Sequence, residues 1–98
     1  MELNVALKRI IETGKTEFGS EKTVRNLVEK KAKAVVIASN CPKEVRERVE
    51  NHAEIAGVPV IQYNGTSLQL GEVCGKPFLI ASFTILDSGN VQLSELKS

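Results

Sequence analysis

The sequence predicts an α/β fold in which a central sheet lies between helical layers. Three observations predict it. Stretches with apolar residues at helical spacing alternate with short apolar β-branched runs. The run Ala34-Val35-Val36-Ile37-Ala38 is apolar on both faces, as a strand covered from both sides must be. The chain has 98 residues, 42 % of them apolar and 26 % charged, which suits one core rather than two. A single domain over 1–98 is therefore expected, with a radius of gyration of ~13 Å. Helices between successive strands imply crossover connections, hence a largely parallel sheet.

Each element has its own signal. Leu3, Ala6, Leu7, Ile10 and Ile11 share one face of a first helix, which Gly14 ends. Phe18 lies in a short extended piece. Ser20 then reads as an N-cap, with Glu21 in the first turn, where the helix dipole favours an anion. Val24, Leu27 and Val28 form the apolar stripe of this second helix, with Lys30 and Lys31 in its last turn. The buried strand 34–38 follows. Pro42 suits the first turn of a third helix, whose Val45, Val49, Ala53 and Ala56 recur at spacings of three or four. Glu44 and Arg48 form an i,i+4 pair on its wet face. Gly57 closes it and Pro59 forbids its continuation. Val58 to Tyr63 is the next strand. Asn64-Gly65 turns, Thr66 or Ser67 caps a short helix through Val73, and Gly75 ends that helix. Phe78 to Leu86 reads as a long last strand, 87–90 as a turn, and Val91 to Leu93 as an added edge.

Several chemistries find no support. No apolar run is long enough to span a membrane, and no segment reads as a signal peptide. Cys41 and Cys74 lack CxxC partners, and with one His they cannot make a four-ligand zinc site. Both read as reduced thiols. Cys41 gains reactivity only if a helix N-terminus lowers its pKa; otherwise it is a small loop residue. Gly14 to Gly19 lacks the Lys a P-loop needs after its second Gly, and no Asp precedes residue 87. His52 has glutamates nearby but no nucleophile at a useful spacing. No cofactor, metal, small-molecule substrate or enzyme activity is expected. Four aromatics are too few for a base-stacking sheet.

Charge is more informative by position than in total. The formal net charge is +1. Residues 8–48 hold eleven Lys and Arg against six Glu, or +5, while residues 49–98 carry −3. Such asymmetry suggests a surface that faces a polyanion, although solvated helix faces give the same arithmetic. In doubly covered sheets function gathers in loops at one end of the strands, here around 14–22, 39–43 and 72–78. Lys15 lies in the first loop. Gly19-Ser20-Glu21-Lys22 opens a helix whose free N–H groups suit a phosphate. Asn40 follows the buried strand; its amide either reads a base edge or caps a helix. Gly75-Lys76-Pro77-Phe78 sets a cation and an aromatic beside a stiff turn. Phe78 either stacks on an unpaired base or begins the last strand as a core residue.

Three blocks then carry a resemblance over nearly the whole chain: TGKTEFGSEKTVRNL, AKAVVIASNCP and HAEIAGVPVIQYNGTSLQLGEVCGKPF. In this order and spacing they resemble the "L thirty e" family of large-subunit ribosomal proteins of archaea and eukaryotes. That family sits in a wider group of kink-turn RNA binders that includes box C/D and H/ACA particle proteins. The resemblance implies a three-layer α-β-α sandwich with a mixed, mostly four-stranded sheet. It implies RNA contacts by Gly19, Ser20, Glu21, Lys22 and Arg25, by Asn40, and by the loop Glu72 to Phe78, including Val73 and Lys76. Hydrophobic residues of that loop pack on a flipped-out nucleotide. The chain departs from the family at Glu21, where Lys, Arg or Asn is usual; Lys22 then takes over the basic role. The partners implied are a kink-turn-like element of ribosomal RNA and neighbouring ribosomal proteins, with a cytoplasmic location and a monomer when free. Two alternatives remain open: a guide-RNA particle protein, and a small α/β protein–protein module without RNA.

Overall fold

The computed structural model describes residues 2–93. Four helices and four strands alternate: α1 (Leu3–Thr13), β1 (Lys15–Phe18), α2 (Ser20–Val28), β2 (Ala34–Ile37), α3 (Lys43–Ala56), β3 (Val60–Gln62), α4 (Ser67–Val73) and β4 (Ser82–Asp87). The sheet order is β1-β4-β2-β3. β2 and β3 are parallel, joined through α3, whereas β4 is antiparallel to both β1 and β2. The sheet is thus mixed, not largely parallel. Periodicity identifies strands but not the direction in which the last one enters.

Register sorts the side chains onto the two faces of the sheet, giving two cores where the chain length predicts one, because helices cover both faces. Phe18 faces Phe83, Phe83 faces Val36, and Val36 faces Ile61. This face packs on Ala6, Leu7 and Ile10 of α1 and Leu70 of α4. The alternate face, with Val35 and Ile37, packs on Val24 and Leu27 of α2 and Val49 and Ala53 of α3. The result is a three-layer α-β-α sandwich. β2 is buried throughout, as its unbroken apolar run requires. The Cα radius of gyration is 11.8 Å.

Some boundaries differ from the sequence reading, for local reasons. Gly19, not Ser20, caps α2; its φ of 111° turns the chain in a way a side chain resists. Ser20 is freed to pair its hydroxyl with that of Ser82 at 2.8 Å. Val28 is exposed, because α2 stops there and the chain turns away through Glu29 and Lys30, the latter at φ 59°. Lys30 and Lys31 therefore follow the helix rather than end it. α3 begins just after Pro42, and its i,i+4 ion pairs among the described residues are Lys43–Glu47 and Arg46–Glu50, not Glu44–Arg48. Thr66 caps α4 in a reciprocal box with Gln69. β3 is shorter than expected. Residues 91–93 add no strand; Val91 and Leu93 pack on the core instead.

The largest difference is the start of β4. Residues 78–81 are apolar but lie outside the strand. The loop spends backbone donors on α4: Lys76 N–H on Gly71 O at 2.9 Å, and Ile80 N–H on Ser67 O at 3.1 Å. The chain crosses α4 at Gly71, where a Cβ would stand 2.2 Å from the carbonyl oxygen of Phe78. Only a residue without a side chain allows that crossing.

Candidate nucleic-acid interface

One end of the sheet gathers three loops. β1 and β2 finish there and β4 begins there. Gly19 N–H donates to Ser82 O at 3.2 Å, and Ala38 N–H donates to Ala81 O at 2.8 Å. Between the first and third loops runs a groove of ≈ 640 Å³. Gly19, Ser20 and Lys22 line one side; Lys76, Phe78 and Leu79 line the other. Phe78 is 52 % exposed and Leu79 is 64 % exposed. Adjacent large apolar residues left in water mark a contact surface rather than a core. Phe78 is therefore not the buried start of a strand. Lys76 Nζ sits 5.1 Å from the centre of the Phe18 ring. Phe18 in turn packs on Phe83 with ring centres 5.3 Å apart. The cation is thus anchored on an aromatic stack that belongs to the core.

The second loop is a tight turn. Cys41 N–H donates to Ala38 O at 3.2 Å, with Ser39 and Asn40 between them. Ser39 gives both its N–H and its hydroxyl to Gly65 O, each at 2.9 Å. Asn40 Oδ1 accepts from the N–H of Ser67 in the first turn of α4 at 2.7 Å. Asn40 is nonetheless exposed, and its Nδ2 makes none of the hydrogen bonds found among the described residues. The helix-holding reading of Asn40 is what the contacts show: Oδ1 holds the first turn of α4, and Nδ2 has no hydrogen-bond partner among the described residues.

The remaining candidates are dispersed. Glu21 and Lys22 are exposed in the first turn of α2. Arg25 and Lys22 flank a cleft beside α2 that also holds Lys31 and Glu29. There Asn26, buried, donates to Glu17 Oε1 at 2.9 Å and ties α2 to β1. Lys15 lies at the far end of β1 opposite Asp87, ~10 Å along the strand from Phe18. Val73 is half-buried on the α1–α4 core and faces a separate pocket beside Tyr63. The structure therefore brings Gly19, Ser20, Lys22, Lys76 and Phe78 together, sets Asn40 on the adjoining turn and Arg25 along α2, and leaves Lys15 and Val73 elsewhere.

Sequence reading missed Leu79, assigned to the strand, and Phe18, treated only as extended backbone. For Leu79 the signal was the run Phe78-Leu79 directly after Pro77, too apolar for a loop with no contact to make; Phe18 carried no such signal. Of the two readings of Cys41, the small loop residue is the one the structure agrees with: burial pushes that thiol up, and the nearby Arg46 guanidinium only partly opposes this. Among the described residues no group of three or more His, Cys, Asp or Glu is placed to hold a metal ion, and no helix is long and apolar enough to cross a membrane.

The arrangement suits an irregular, partly unpaired polyanion. Backbone N–H groups at a helix start and lysines are groups that take phosphates, an amide donor is a group that takes a base edge, and an exposed apolar pair such as Phe78–Leu79 offers a flat surface of the kind an unstacked base needs. The chain matches a family described as the ribosomal protein L7Ae/L30e/S12e/Gadd45 family over residues 1–94. It is similar to the large ribosomal subunit protein eL30 of Methanopyrus kandleri, 45 % identical over 94 % of this chain and 84 % of that relative. The protein of the same description from Methanocaldococcus jannaschii is 41 % identical over 98 % of this chain and 87 % of its own. That from Methanosarcina mazei is 45 % identical over 91 % of this chain and 84 % of its own.

Proposed function

The chain belongs to the ribosomal protein L7Ae/L30e/S12e/Gadd45 family, and on that premise we propose that it is a structural constituent of the large ribosomal subunit that binds rRNA. Its place is the cytoplasmic ribosome, among rRNA and neighbouring ribosomal proteins. It acts as one domain and by binding, not by catalysis. The RNA element we assign to it is a kink-turn or a related G·A-containing internal loop. The observation that carries this is the exposed Phe78–Leu79 pair facing the start of α2 across one groove. A regular duplex offers no unstacked base for such a platform, whereas a bent internal loop does.

Recognition then divides by chemistry. Gly19, Ser20, Lys22, Arg25 and Lys76 position the backbone, and Asn40 and Phe78 select. Glu21 stands among these cations; as an acceptor it suits a base N–H and opposes a phosphate. A gel shift compares a kink-turn duplex with a plain duplex of equal length. The kink-turn is expected to bind selectively, and more weakly as salt rises. Equal binding to both, or none, would falsify the reading. Phe78→Ala is expected to lose roughly 1–3 kcal/mol of kink-turn affinity, measured by titration calorimetry.

A further inference from the structure

Arg46 occupies the first turn of α3, where a cation works against the helix dipole. Its guanidinium has another occupation. It reaches back to the end of β2 and donates through NH2 to Ala38 O at 2.7 Å. NH1 donates to Gln62 Oε1 at the end of β3. Glu50 Oε1 stands 4.0 Å from NH1 and completes the surroundings. The side chain is 25 % exposed, so most of the fork is turned inward. Ala38 O is also the acceptor that closes the Ser39–Asn40 turn. The guanidinium therefore holds the hinge of that turn, while Gly65 and Ser67 hold its tip.

We propose that Arg46 is a positioning residue for RNA recognition: it fixes the Ala38–Cys41 turn so that the free Nδ2 of Asn40 points to a base acceptor. The proposal rests on the RNA-binding reading above. Arg46 touches no RNA in this role. It replaces freedom of the turn by a charge-assisted hydrogen bond, so that ordering the turn is not left to the moment of binding.

A double-mutant cycle with Asn40→Ala tests this, in full-length protein at a temperature where circular dichroism shows every variant folded. Affinity for one kink-turn duplex is measured over a range of salt. Arg46→Ala is expected to weaken binding roughly tenfold in the wild-type background and less than about twofold in Asn40→Ala. The slope of affinity against salt stays unchanged, since no phosphate contact is lost. Arg46→Lys, which keeps one donor, recovers part of the loss. Additive effects, which general destabilisation produces, overturn the proposal. So does a salt slope lowered by about one unit, which marks Arg46 as a direct phosphate contact. Should Arg46→Ala not fold, Arg46→Gln enters the same cycle with the same expected coupling. If Asn40→Ala alone leaves affinity intact while the kink-turn is still bound selectively, the proposal is overturned, since Nδ2 then reads nothing, and the RNA-binding reading stands without it.

Discussion

At Asn40 the two ends of the amide are differently engaged. Its Oδ1 already accepts from Ser67 N–H at 2.7 Å, whereas Nδ2 makes none of the hydrogen bonds found among the described residues. On the function proposed above, the group that Nδ2 meets is an acceptor, such as a base carbonyl or ring nitrogen. Asn40→Asp keeps an acceptor for Ser67 and loses the donor. It is expected to hold folding stability while losing roughly 1–3 kcal/mol of kink-turn affinity. Full affinity in that variant would show that the donor is not read. Thr84 poses the opposite question. It is fully buried in β4 between Val35 and Glu17, and its hydroxyl has no hydrogen-bond partner among the described residues. An unsatisfied hydroxyl in a core costs about 1–3 kcal/mol. Thr84→Val keeps the shape and removes the hydroxyl, and should raise stability by about 1 kcal/mol in urea unfolding. A loss of stability would mean that the hydroxyl has a partner after all.

The loop between α4 and β4 shows how an element can be shaped by a residue it does not contain. Phe78 is carried over α4 at Gly71, and that crossing keeps residues 78–81 out of the strand. Gly71→Ala forces the Phe78 carbonyl away. The variant should lose roughly 1–3 kcal/mol of stability and bind kink-turn RNA more weakly, though no RNA-facing side chain has changed. Thermal unfolding and calorimetry together check both effects; unchanged affinity would separate the crossing from the site. This is also where the sequence was least legible. An apolar run reads the same whether it fills a core or stays in water, so Phe78 keeps two readings and Leu79 falls inside the strand. Val28 has the right spacing for the apolar stripe and is exposed only because α2 ends there. Arg46 looked like one more solvated cation, because nothing in its spacing reveals the two strand ends it joins. By contrast Gly57, Thr66 and the β2 run were readable, since each acts through backbone geometry or burial within a few residues of itself.

Across the molecule, two properties are spread unevenly. The positive charge of residues 8–48 does not collect at the three loops: Lys15 lies at the far end of β1 and Lys33 just before β2 at that same end, so the groove itself is lined by Lys22 from this half and Lys76 from the other. The inert side of the sandwich holds Cys74 under α4. Burial pushes its thiol from the ordinary 9.0 to about 11, with Lys76 opposing weakly. The unfolded chain gives up this proton near 9 and the folded one keeps it. Stability is therefore complete below pH ~9 and falls as pH rises towards 11, by about 2–3 kcal/mol. Tyr63, raised chiefly by the same burial, adds to the fall at the upper end. Urea unfolding at about pH 8 and about pH 11 measures the loss, and Cys74→Ala should reduce it. An alkaline profile untouched by that substitution would place the cause elsewhere.

The position of β4 in the sheet has a consequence in time. Among the strands of the described residues it is the last to be synthesised, yet it lies between β1 and β2, and β1 pairs with no other of them. Until Ser82 and Phe83 arrive, the Gly19 turn has no Ser82 carbonyl to hold and Phe18 has no ring to rest on. A chain halted before Ser82 therefore contains every side chain assigned above to RNA but lacks the strand that joins β1 to β2 and brings them to one end.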